Sequence, residues 1–250
     1  MATAEAITED GLLGGRVRLC QFAVGYRVAI DPVFLAAAVP ARAGERVLDV
    51  GAGVGAAALC LAARVPGCRV VGVECERELV RVAAENVALN GLSDRVEILT
   101  GDLARPPSRL APSGFDHVMA NPPHLDPHRA YASADPSNSA ATVEEGPGLG
   151  EWVAFCFRMV RARGSVTLIH RADRLDDLIS AVRTYGGEIV VFPLWPDGSR
   201  SKPAKRVILS ARKGVLTPLK LAAGLVLHRP DGDYTQAAEA VLRTASPLSL

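Results

Sequence analysis

A chain of 250 residues, 49% hydrophobic and 22% charged, can bury a sizeable core, and its length favours one large domain with a decorated edge. No apolar run approaches the roughly 20 residues of a membrane span, and the acidic Met1–Asp10 stretch lacks the basic start and apolar centre of a signal peptide, so a cytoplasmic protein is expected. Five cysteines without a C-x-x-C pair argue against a disulfide framework and structural zinc, and a net charge of +1 argues against an indiscriminate nucleic-acid binder.

The first 45 residues form a prelude, with Gly11–Gly15 as a candidate hairpin and an Ala-rich helix over Asp31–Val39. From there strand and helix alternate. Arg46–Val50 is a short β-branched run, Gly55–Arg64 is Ala/Leu-rich, and Arg69–Glu74 is again strand-like. A helix over Glu76–Asn90 ends at Asn90-Gly91, and strands follow at Val96–Leu99 and Phe115–Ala120. Beyond a Pro/Ser/Ala-rich loop come a helix over Leu149–Arg161, a strand at Ser165–His170 and a helix at Leu175–Thr184, then strands near Glu188–Phe192 and Arg206–Ala211. This alternation predicts an α/β, Rossmann-like fold: a mostly parallel central sheet with helices on both faces, an antiparallel addition late in the chain, and ligands at the carboxyl ends of the strands.

Three strand ends carry chemistry. Val47-Leu48-Asp49-Val50-Gly51-Ala52-Gly53-Val54-Gly55 is a strand entering a Gly-rich turn, where the backbone can approach a ligand closely. Because Ala56 also satisfies G-x-G-x-x-G/A, spacing alone leaves a nicotinamide cofactor open. Glu74, at the end of the next strand, is placed to accept hydrogen bonds from ribose hydroxyls, and Asp102 in Gly101-Asp102-Leu103 is either a base contact or an ordinary turn residue. At the fourth strand end stands Asn121-Pro122-Pro123-His124. The prolines fix φ and remove backbone donors, so the Asn121 side-chain oxygen and the Pro122 carbonyl can accept both hydrogens of a substrate amino group, with His124 offering a flat face.

With these motifs in these places, the sequence resembles the class I S-adenosylmethionine (SAM) dependent methyltransferases with an N-P-P-[Y/F] motif, and within them the bacterial tRNA(Val) adenine-N6 methyltransferase group. The likeness extends to Gln21–Leu35, Lys205-Arg206-Val207 and Gly232-Asp233-Tyr234-Thr235. It implies N-methylation of an exocyclic amino group, adenine N6 in tRNA first, with a protein glutamine amide or a non-catalytic SAM/RNA-binding module as alternatives. It also implies residues 1–45 as an extension closing the cofactor site and 46–250 as the methyltransferase domain. SAM would be held by Gln21 and Asp31 from the extension, by Asp49, Gly51, Ala52, Gly53 and Gly55 of the turn, by Glu74 and Cys75, by Asp102 and Leu103, and by Asn121. Asn121, Pro122, Pro123 and His124 would form the catalytic motif, with His124 departing from the family's aromatic residue.

Between Gly198 and Pro230 there is no Asp or Glu, while Arg200, Lys202, Lys205, Arg206, Arg212, Lys213, Lys220 and Arg229 are all basic. The run reads either as a solvated surface or as a field for tRNA phosphates, with Arg200, Lys202, Lys205 and Arg206 as contacts. No metal site is expected, since Pro127 separates His124 from His128 and no third ligand is evident. His117 and His170 read as packing residues, Trp152, Phe155 and Met159 as core, and Trp195 as packing beneath its loop or a base-stacking surface. The loop from Tyr131 to Gly148 has the composition of a mobile lid.

Overall fold

The computed structural model describes residues 6–25, 27–123, 147–199 and 202–250. Strands β1 (Ile7–Leu12) and β2 (Val17–Phe22) form an antiparallel hairpin joined by a short 3₁₀ turn, Leu13–Gly15, in which Gly14 takes φ 66°. Helix α1 (Asp31–Ala38) starts with Pro32 in its first turn, where a missing N–H costs nothing. The alternating region gives β3 (Arg46–Val50), α2 (Ala56–Arg64), β4 (Arg69–Glu74), α3 (Arg77–Leu89), β5 (Val96–Thr100) and β6 (Phe115–Ala120). Next come α4 (Leu149–Met159), β7 (Val160–Arg171), α5 (Leu175–Arg183), β8 (Gly186–Asp197) and β9 (Arg206–Lys213). The chain ends with β10 (Lys220–Leu221), β11 (Leu225–His228) and α6 (Gln236–Thr244).

The strands lie in the order β10-β8-β9-β7-β6-β3-β4-β5, with β11 also on the outer edge of β8. Every pairing is parallel except those of β9, which runs antiparallel between β7 and β8. Strand order reverses at β3, whose neighbours are β4 and β6, so the crevice of this sheet opens at the carboxyl ends of β3 and β6. Buried side chains separate into two clusters, one uniting α1, α2, α3 and α6 with one face of the sheet, the other uniting α4 and α5 with the opposite face. Val47 of β3 belongs to the first and Leu48 and Val50 to the second, as the period of two along a strand requires.

The N-terminal hairpin is fastened by two asparagines one helical turn apart on α3. Asn86, fully buried, accepts from the Cys20 N–H (2.7 Å) and donates to the Cys20 carbonyl (2.8 Å) and the Val54 carbonyl (2.9 Å). Asn90 repeats the pattern on Arg18, at 2.9 and 2.7 Å. These amides stand in for a neighbouring strand along the free edge of β2. Through Val54, Asn86 also ties the hairpin to the Gly-rich turn.

The sequence-based boundaries need correction in three places. β7 starts directly after α4 and passes a register shift between Phe115 and His117 of its partner, so it is longer than its apolar part. β8 extends through Pro193 to Asp197 at the sheet's edge. β10, β11 and α6 are short, Pro-flanked or dependent on docking against β8 and the first cluster, which leaves little periodic signal.

Candidate functional site at the carboxyl edge of the sheet

The Gly-rich turn is built by backbone bonds. Gly51 and Ala52 both donate to the Val73 carbonyl, at 2.9 and 3.0 Å, and Gly55 donates to Ala52 at 2.8 Å. Gly51, Gly53 and Gly55 all take positive φ (70°, 54° and 87°), which L side chains rarely adopt. At Gly53 an added Cβ would meet nothing within 4 Å, so the turn presents open space there. At Gly51 an added Cβ would come within 2.5 Å of Trp152 Cη2, so the indole of α4 rests against the bare Cα.

Asp49 is buried beneath this turn, and its carboxylate accepts the Ala58 N–H at 3.1 Å. Because the N-cap of α2 is Gly55, which has no side chain, Asp49 supplies the cap from the adjoining strand. Burial pushes its pKa up to about 7, against the lowering effect of that hydrogen bond and with a further push from the nearby Glu74 charge. A carboxyl whose pKa is raised on folding binds more protons folded than unfolded, so stability falls as pH rises from about 4 to about 7. Asp49→Asn keeps an acceptor for Ala58 but cannot ionise. It is expected to flatten that fall and to gain on the order of 4 kcal/mol over wild type at pH 8, read from urea midpoints across the pH range; parallel curves for the two proteins would contradict this.

Glu74, at the tip of β4, is buried and holds the turn from the other side. One carboxylate oxygen accepts from Gly53 N–H at 2.9 Å and the other from Cys75 N–H (2.7 Å) and Glu76 N–H (3.0 Å). Cys75 Sγ lies 3.3 Å from the same carboxylate, and desolvation together with that charge pushes its thiol up to about 11, which disfavours the thiolate. Asp102 accepts the Arg105 N–H at 2.7 Å in a tight turn, with its side chain 41% exposed. Leu103 packs on the second cluster, and its carbonyl accepts from Arg158 at 3.3 Å.

Asn121 follows β6, beside the end of β3, since Val50 pairs with Ala120. Its Oδ1 is buried and has no hydrogen-bond partner among the described residues, and the same holds for the indole N–H of Trp152. Pro122 is buried and Pro123 exposed. Phe155 and Met159 are core, as expected, and Trp152 is partly buried, packed against the second cluster and against the bare Cα of Gly51. His124, His128 and residues 131–146 of the loop read as a lid lie outside the described residues.

Gln21 and Asp31 are engaged with the N-terminal segment and with β9. Gln21 spends its amide on Asp10 (2.7 Å) and the Val28 N–H (2.8 Å), bracing the hairpin against the segment leading to α1. Asp31 pairs with Arg206 at 2.7 Å. The basic stretch does not form one positive surface. Arg206 is committed to Asp31, Lys202 stands 3.8 Å from Asp197, and Lys205 is exposed, all at the carboxyl edge. Arg212 and Lys213 lie at the opposite end of β9, bonded to the Arg163 and Val160 carbonyls. A strand advances about 3.3 Å per residue, so a run that is continuous in sequence reaches both ends of the sheet. Arg200 lies outside the described residues. Trp195 donates to the Ala223 carbonyl at 3.0 Å, and His117 bridges Ser165 and Glu45, consistent with packing roles. Among the described residues no helix is long and apolar enough to cross a membrane, and no cluster of metal-ligating side chains is present.

The model of the methyltransferase small domain matches residues 27–135, the segment that carries the Gly-rich turn, Glu74, Asp102 and the N-P-P sequence. Among solved structures, a predicted O-methyltransferase from Agrobacterium tumefaciens superposes with a TM-score of 0.73 at 23% identity, covering 88% of this chain and 99% of that one. A tRNA (m1A58) methyltransferase from Aquifex aeolicus superposes at 0.54 with 15% identity, covering 78% of this chain and 72% of that one. The sheet order, the antiparallel β9 and the turn at the reversal of strand order are those of a Rossmann-like, SAM-dependent methyltransferase. Two relatives are tRNA1(Val) (adenine(37)-N6)-methyltransferases: one from Aeromonas hydrophila, 28% identical over 84% of this chain and 85% of its own length, and one from Porphyromonas gingivalis, 32% identical over 68% of each. The chain belongs to this methyltransferase family.

Proposed function

We propose that the protein methylates the N6 amino group of an adenine in tRNA, in the cytoplasm, with SAM as methyl donor. The observation that carries this is the buried Asn121 Oδ1, an acceptor without a partner among the described residues at the tip of β6, beside a turn whose Gly53 faces open space. Leaving a buried acceptor unpaired costs about 1–3 kcal/mol, so the arrangement is held for a donor that arrives with substrate, and an exocyclic amino group is such a donor. When bound, SAM supplies an electrophilic methyl on sulfur.

The residues present fit that cofactor. Gly51, Ala52, Gly53 and Gly55 give a turn along which a ligand can lie, Glu74 keeps lone pairs for ribose hydroxyls beyond its backbone bonds, and Asp102 and Leu103 flank the base position. Cys75 contributes its backbone there. Asp49 acts indirectly, by fixing α2 and the turn. Asn121 and the Pro122 carbonyl accept the two amino hydrogens, which localises the lone pair on nitrogen and fixes its direction; catalysis is positioning and polarisation. Pro123 shapes the wall against the flat ring; His124, whose ring the motif offers as a flat face, lies outside the described residues. Residues 1–45 close the edge through Gln21 and Asp31, with 46–250 as the methyltransferase domain.

The test is transfer of isotopically labelled methyl from SAM into total RNA and total protein from cells lacking this protein, followed by nucleoside and residue analysis. Label is expected as N6-methyladenosine in the tRNA fraction. Label only on glutamine, or none despite measured SAM binding, would overturn the assignment.

A further inference from the structure

A second cavity opens on the same edge of the sheet, and nothing in the reaction above uses it. It measures about 390 Å³ and is floored by Leu194 and Leu227, both nearly or fully buried, with Ile30 and Pro196 on its walls. Lys205, Arg206 and His228 complete the lining. His228 is stacked on Tyr234 with ring centroids 4.6 Å apart and an interplanar angle of 24°. Its Nδ1 lies 3.0 Å from the Gly232 carbonyl, which fixes that nitrogen as the donor and leaves Nε2 as the ring's acceptor. An apolar floor, one flat ring held rigid from behind and cations at the rim are the elements with which proteins take single-stranded bases.

We propose that this cavity receives one unpaired base of the RNA substrate, flanking the modified nucleotide, with its phosphate on Lys205. The inference rests on the reading of the substrate as RNA. Charge and spacing both favour it. Arg206 is neutralised by Asp31 and Lys202 is near Asp197, whereas Lys205 is exposed and makes no ion pair among the described residues. Neighbouring strands lie about 4.8 Å apart. Arg206 starts β9, two strands from the β6 tip at Asn121, and His228 ends β11, two strands further. The register also carries Arg206 two and His228 five residues past the level of Asn121 at about 3.3 Å each, so the cavity lies roughly 12–25 Å from the candidate amino-group acceptor, within reach of nucleotides close to the target in the same strand. Volume also agrees, since cavities for small planar ligands start near 300 Å³.

The test uses the intact protein and two labelled RNAs of equal length, a hairpin with an unpaired loop and a continuous duplex. His228→Ala is expected to weaken hairpin binding about 5- to 100-fold, as for loss of one stacked base, to leave duplex binding and SAM affinity unchanged, and to be restored by His228→Phe, which keeps a flat ring. Lys205→Gln is expected to lower the salt dependence of hairpin binding by about 0.7 in log–log slope, the contribution of one single-strand phosphate. Should His228→Ala unfold the protein, Lys205→Gln still decides, because wild-type hairpin affinity with an unchanged salt slope in that variant overturns the proposal. If wild type methylates RNA and none of these variants alters binding, the cavity assignment alone fails. If wild type binds SAM but neither RNA, the RNA reading itself fails and this one with it.

Discussion

Asn121→Ala is expected to lower kcat by about 10²–10³-fold, the range for removing one preorganised polar contact to a reacting group, while the dissociation constant for SAM stays within about two-fold of wild type. The asymmetry follows from what the acceptor lacks. Among the described residues Asn121 Oδ1 is buried and makes no hydrogen bond, so removing that oxygen breaks none of the bonds described. An orphaned acceptor in fact penalises the folded state, and the variant should melt at the wild-type temperature or slightly above it. Single-turnover methyl transfer, calorimetric SAM binding and thermal unfolding read the three quantities separately. A variant that loses SAM affinity in proportion to turnover would place Asn121 in the cofactor pocket and remove it from the chemistry. A variant that unfolds would show that its amide is structural.

The strand ends were the legible part of this chain, because each joins a mostly apolar run to a residue type that strand interiors disfavour: Gly51 after Val50, Glu74 after Val73, Asn121 after Ala120. The alternation of strand and helix gave the parallel sheet and the late antiparallel strand for the same reason. What stayed hidden depended on partners far along the chain. Asn86 looks like a residue misplaced in a helix, and only the hairpin lying against α3 shows why it is there, bonded to Cys20 and Val54. Two asparagines one turn apart in an otherwise apolar and charged helix were the available signal, since asparagine disfavours helix interiors unless its amide is used. Asp49 sits in the motif as expected, yet its partner is the Ala58 amide of α2. Trp152 follows helical spacing with Phe155 and Met159 and packs against the same cluster, but its contact with Gly51 comes from the approach of α4 to the turn, which periodicity does not show. The basic stretch failed as a unit because neighbours in sequence are separated along β9, and because Asp31, far away in sequence, claims Arg206.

Glycines 51 and 53, two residues apart, are expected to fail in opposite ways. Gly53→Leu places a side chain where an added Cβ meets nothing within 4 Å, so the fold bears only the left-handed φ of 54°, about 1–2 kcal/mol. That open space is where the cofactor would lie along the turn, and SAM affinity should drop by more than about 100-fold, since a bulky group in the site is not relieved by small shifts of a packed backbone. Gly51→Ala meets Trp152 Cη2 at 2.5 Å and also carries a positive φ of 70°. Strain and overpacking together should cost about 3 kcal/mol of stability, with binding retained in the fraction that stays folded. Adding Trp152→Leu to Gly51→Ala removes the clash, so the double variant should be less destabilised than the sum of the two single changes. Denaturant unfolding and SAM titration on all four proteins separate the effects. Normal SAM binding by folded Gly53→Leu would move the cofactor off this turn, and strict additivity at 51 and 152 would mean that the indole yields without resistance.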